Sequence, residues 1–95
     1  MADVTQSGTV HVVLAPALLR LFPDAVARLD VQAASVAALI TALEARWPGM
    51  GRMLCDERPA VRRHINIFAG GERASLETPL MPGTTVHVLT AVSGG

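Results

Sequence analysis

The sequence predicts a two-layer α+β domain in which one main helix lies across one face of a mostly antiparallel sheet. Three observations carry that expectation. Short segments alternate apolar and polar residues, the period of a half-buried strand. One longer segment instead spaces its apolar residues at helical intervals. Elements of these two kinds hide their apolar sides by packing on one another, which gives a helix-on-sheet arrangement.

The first strand is predicted over residues 9–15, "TVHVVLA", with Val10, Val12 and Leu14 on one face and His11 and Val13 on the other. Pro16 stops it, because proline has no backbone N–H for the ladder. "LLRLFPD" is expected to be a loop or turn. Residues 25–33, "AVARLDVQA", form a second strand, with Ala27, Leu29 and Val31 turned to the core and Val26, Arg28, Asp30 and Gln32 away from it. The two strands make a long-looped hairpin. Ser35 begins the helix as an N-cap, since its hydroxyl can accept an orphan N–H of the first turn. Val36, Leu39, Ile40, Leu43 and Trp47 then fall on one stripe, and Pro48-Gly49 ends it.

"MGRMLCDERPAV" is irregular, with a short helical turn near Met53. Residues 63–69, "RHINIFA", alternate again, with Ile65, Ile67 and Ala69 inward and His64, Asn66 and Phe68 outward. Gly70-Gly71 is a turn, "ERASLETPL" a short strand or turn, and Pro82-Gly83 the centre of another turn. The final strand covers residues 85–92, "TVHVLTAV". The order is β-β-α-β-(β)-β. A hairpin, a crossing helix and a last strand apolar enough to lie centrally describe the β-grasp, or ubiquitin-like, arrangement: a mixed sheet of four to five strands with one main helix. Residues 1–95 form one domain, and residues 93–95 leave the sheet as a flexible tail.

Composition narrows the function classes. The chain has 95 residues, 51 % of them hydrophobic, so one core can form without cross-links. A single cysteine, Cys55, excludes an internal disulfide. The opening "MADVTQSG" lacks the basic flank and apolar stretch of a signal peptide. No apolar run approaches the roughly 20 residues of a membrane helix. A cytoplasmic location is expected. Lys+Arg and Asp+Glu are both 8, and every basic residue is arginine. Zero net charge and three aromatic residues argue against nucleic acid as a partner.

The end, "VHVLTAVSGG", carries the chemistry. Glycine has no Cβ, so a Gly94-Gly95 terminus can thread a cleft that any side chain would block. A carboxylate is a poor acyl donor, because its leaving group would be oxide. Adenylation by ATP replaces that oxide with AMP, and a nucleophile can then attack the carbonyl. If the nucleophile is sulfur, the product is a thiocarboxylate, largely ionised and strongly nucleophilic at neutral pH. Such chemistry needs a partner enzyme.

The helix "ALITALEARWPG", the strand "INIFAGGE", the segment "TPLMPGTTVHVL" and the terminal "AVSGG" together resemble the ThiS/MoaD-type sulfur carrier proteins over nearly the whole chain. "RRHINIFAGGER" and "LTAVSGG" are most similar to the CysO-type carriers of cysteine biosynthesis. The resemblance implies that Gly95 is adenylated by a ubiquitin-activating-like enzyme, takes sulfur as a thiocarboxylate and donates it in biosynthesis. The product would be cysteine, molybdopterin, thiazole or another sulfur-containing metabolite. It implies a protein co-substrate rather than an enzyme, or the small subunit of a synthase such as molybdopterin synthase. No cofactor is bound; the activating enzyme uses the ATP. A sulfur donor and a sulfur-accepting synthase complete the expected partners, with no membrane and no nucleic acid. Pro82-Gly83 departs from the acidic-Gly turn frequent in the family. The lack of lysine rules out self-chaining through internal lysines. The alternatives are a protein modifier joined to targets through Gly95, and a passive β-grasp interaction domain.

Other reactive residues are assigned bland roles. Cys55 is a structural or incidental thiol. His11, His64 and His87 lack metal-ligand spacing; His11 and His87 are expected as neighbours on the open sheet face. Glu72 and Glu77 lie in a turn region without paired-carboxylate logic, and Trp47 closes the helix at the core edge. Two glycines cannot supply a partner's affinity. Strict alternation puts Val13, Phe68 and Leu89 on the open face beside His11, Asn66 and His87. That patch is the expected docking surface, with Phe68 as anchor.

Overall fold

The computed structural model describes residues 8–55, 61 and 64–90. Strand β1 (Gly8–Leu14) is followed by helix α1 (Pro16–Leu21), strand β2 (Arg28–Ala33), helix α2 (Val36–Arg46) and helix α3 (Met50–Leu54). Strands β3 (Ile65–Ala69), β4 (Glu72–Arg73) and β5 (Thr85–Thr90) complete the domain. The sheet order is β2-β1-β5-β3-β4, so the last strand is the central one. β5 runs parallel to β1 and antiparallel to β3. A parallel pair needs a crossover, and the chain between β1 and β5 provides it, with α2 as its main helix.

The alternation read from the sequence sorts the two faces. Val10, Val12, Leu14, Ile65, Ile67, Val86 and Val88 are all buried beneath α2, which contributes Val36, Leu39, Ile40 and Leu43. Burying a Leu or Ile fully stabilises by roughly 1.5–3 kcal/mol. Ser35 caps α2 as expected: its Oγ accepts the Ala38 N–H at 3.1 Å. Two further N–H groups at this end, from Val36 and Ala37, are taken by the carbonyls of Thr78 and Leu76. The orphan donors of the helix thereby anchor the segment that precedes β5.

Three expectations are corrected or sharpened. "LLRLFPD" is not simply a loop: residues 16–21 form α1, with Pro16 in its first turn and Leu18 fully buried. Proline fits there because its missing N–H would have had no helical partner. Six residues are too few for a 3.6-residue period to stand out. The second strand begins at Arg28 rather than at residue 25. Ala27 is exposed, though its carbonyl still accepts the Leu14 N–H at 2.8 Å. Val31 and Ala33 are the buried residues of β2. The turn near Met53 belongs to α3, where Met50 and Leu54 are buried.

Both predicted turns form. Gly70 and Gly71 adopt φ of 62° and 89°, and Gly83 adopts 88°, a region unfavourable to other residues.

Candidate functional site

β5 is the element that carries the chain toward its end. It pairs with β1 from Thr85 to Val88 and with β3 from Val86 to Thr90, which lies opposite Ile65. Gly94 and Gly95, and the expected tail of residues 93–95, lie outside the described residues.

The face of the sheet opposite α2 presents an ordered row across all five strands. Register places Arg28 opposite Val13, Val13 opposite His87, His87 opposite Phe68, and Phe68 opposite Arg73. Residues directly opposite on adjacent strands share one face, so these five side chains form a single line. Leu89, 38 % exposed, lies one step along β5 opposite Asn66. Val13 and Phe68 are half-buried. The row holds Val13 and Phe68 of the expected patch, with Leu89 beside it on the same face, and it adds two arginines that alternation within single strands could not associate with them. The Arg73 guanidinium donates to Asn66 Oδ1, which holds it over this face.

His11 and His87 share the open face on the adjacent strands β1 and β5, offset by two residues in the register. His11 stands between Asp30 and Thr85. Its Nδ1 bonds Asp30 Oδ1 at 2.8 Å. An open cleft here is lined by His11, Val13, Arg28, Asp30 and Thr85.

The remaining candidates stand apart from this face. Cys55 follows α3, is half-buried against the core and bridges Val61. Glu72 pairs with Ala69, the inward position of β3, and Glu77 is engaged with the Ser75 hydroxyl at 3.1 Å. Trp47 is the C-cap of α2, with the Arg46 guanidinium 5.9 Å from its ring centroid. Among the described residues no group of three or more His, Cys, Asp or Glu side chains is placed to hold a metal ion. None of the helices there is long and apolar enough to cross a membrane. One structural acid escaped sequence reasoning. Glu44 accepts the N–H groups of Gly49 and Gly51, and those two bonds hold its carboxyl below the usual glutamate range.

The model of the ThiS family matches residues 13–95, taking in the whole open-face row and β5. The chain belongs to the ThiS family. Solved structures agree. A chain of the Amycolatopsis orientalis BexX/CysO complex is 29 % identical, with a TM-score of 0.78, over 90 % of this chain and 99 % of that one. CysO of Mycobacterium tuberculosis is 27 % identical, with a TM-score of 0.75, over 87 % of this chain and 99 % of that one. SAMP1 from Haloferax volcanii shares the fold at 23 % identity and a TM-score of 0.77, over 93 % of this chain and 100 % of that one. No curated protein matches the chain by sequence. The sheet and helix are thus the ubiquitin-like β-grasp of ThiS-family and CysO-like carriers, as the sequence predicted.

Proposed function

We propose that this ThiS-family domain is a sulfur carrier whose working group is the carboxylate of Gly95. The observation that carries the reading is the family match running from β1 through residue 95, combined with a central last strand and a sequence that ends in Gly94-Gly95. In the first step the Gly95 carboxylate attacks the α-phosphorus of ATP, forming the acyl adenylate and releasing pyrophosphate. In the second, a sulfide-level nucleophile attacks the carbonyl, AMP leaves, and a thiocarboxylate remains. The domain contributes an unhindered acyl group and a surface to be held by. A ubiquitin-activating-like enzyme contributes the ATP site. The thiocarboxylate then attacks an electrophilic acceptor on a biosynthetic synthase.

Val13, Phe68 and Leu89 serve as the apolar part of the docking surface. They sit on adjoining strands of the face that α2 does not cover. The likeness to CysO structures accords with the sequence resemblance to CysO-type carriers, and the sulfur sink is cysteine, molybdopterin, thiazole or another sulfur-containing metabolite.

Intact-mass measurement of the protein from its native host tests the reading. A carrier shows a fraction in which one oxygen is replaced by sulfur. Higher-mass conjugates instead would mark a protein modifier, and neither species would mark a passive domain.

A further inference from the structure

The open-face row has a charge pattern of its own. Its centre is Val13, His87 and Phe68, and its two ends are Arg28 on edge strand β2 and Arg73 on edge strand β4. Four strand spacings of about 4.8 Å separate those ends, so the arginine Cα atoms stand roughly 19 Å apart across the sheet. The strand residues on this face include one carboxylate, Asp30, and His11 holds it at 2.8 Å. The carboxylate next to Arg73, Glu72, pairs with Ala69 and so belongs to the opposite face. A chain of zero net charge therefore shows this face as an apolar centre between two cationic ends. Arg73 is fixed there by its bond to Asn66, which reduces the entropy lost when it meets a partner.

We infer that this face docks a protein surface whose apolar groove is flanked by two carboxylate sites, one for Arg28 and one for Arg73. This inference rests on the carrier reading above for the identity of the partner, the enzyme that adenylates Gly95. Arginine suits the role because its planar guanidinium meets a carboxylate through two parallel hydrogen bonds. Two charged ends on one line fix the rotation of the domain on its partner. An apolar centre alone leaves that rotation loose, and a rotated domain would aim the tail away from the nucleotide. His87 sits at the middle of the line with Val13 and Phe68 as its neighbours, and the other groups facing it on this side are Arg28, Arg73, His11 and Asp30.

The test uses the full chain and the adenylating enzyme of the same organism. ATP–pyrophosphate exchange is measured against concentration of the chain at rising salt, with calorimetric titration for binding. Arg28→Glu and Arg73→Glu should each raise KM about fivefold or more, as loss of an interfacial charge contact does. Wild-type KM should rise with salt. Glu72→Arg, a charge change on the other face of the same edge, should leave KM unchanged. Thermal melts confirm that each variant folds. A KM indifferent to both reversals and to salt would overturn the inference. So would an equal response to Glu72→Arg, which would reduce the effect to net charge. Arginine-dependent binding to phosphatidylserine vesicles with none to the enzyme would overturn it as well. If the wild type binds the enzyme through these arginines but supports no exchange, the docking inference stands and the carrier reading falls.

Discussion

The carboxylate of Glu44, near the end of α2, accepts the backbone N–H of Gly51 at 2.7 Å, within the first turn of α3. Its other oxygen accepts the Gly49 N–H at 3.0 Å. One side chain thus closes the corner between two helices and satisfies two N–H groups that a helix start leaves without partners. Gly49 turns that corner with φ of 102°.

That corner should be sensitive to acid. The bonds to Gly49 and Gly51 lower the Glu44 pKa in the folded protein. A carboxyl whose folded pKa lies below its unfolded one contributes stability above the unfolded value and loses it as pH falls through the folded value. Glu44→Gln should therefore lower Tm at neutral pH, and the gap to wild type should close in acid. Paired melts at descending pH check this. A gap that is constant with pH would show that the charge contributes nothing.

Leu18 is fully buried although it sits in a six-residue helix. Leu18→Ala should cost about 2–5 kcal/mol, the range for removing a buried leucine side chain. Urea unfolding measures it. A loss under about 1 kcal/mol would mean that α1 is peripheral to the core.

Phe68 lies between His87 and Arg73 on the open face and is half-buried. Phe68→Asp should weaken binding to the activating enzyme by about tenfold or more if the ring fills a partner pocket. The fold should survive. Calorimetric titration beside a thermal melt decides, and unchanged binding or an unfolded variant would each count against an exposed anchor.

The terminal glycines should matter to transfer and not to folding. Adding one residue after Gly95 should abolish ATP–pyrophosphate exchange. Gly94→Val should keep stability within about 0.5 kcal/mol while slowing sulfur transfer, because a β-branched side chain stiffens and widens the tail. Normal rates in either variant would remove the tail from the mechanism.

Much of this protein was legible along the chain. The alternation of "TVHVVLA", "RHINIFA" and "TVHVLTAV" sets which side chains face α2, because a strand's period of two is a local property. The stripe from Val36 to Leu43, the Ser35 cap and the Gly70-Gly71 and Pro82-Gly83 turns are equally local, and each forms as expected. Gly94 and Gly95 prompt the carrier proposal by residue type alone. Tertiary structure decided what depends on register between distant segments. Only strand pairing puts Arg28 and Arg73, 45 positions apart by number, at the two ends of one line through His87, and sets His11 against Asp30. Only packing makes Leu18 a core residue and turns Glu44, an ordinary helix-surface acid in sequence, into the clasp of a corner. Local patterns specify each element's faces; the alignment of one element on another is set by the energy of the whole core, which no single stretch of chain contains.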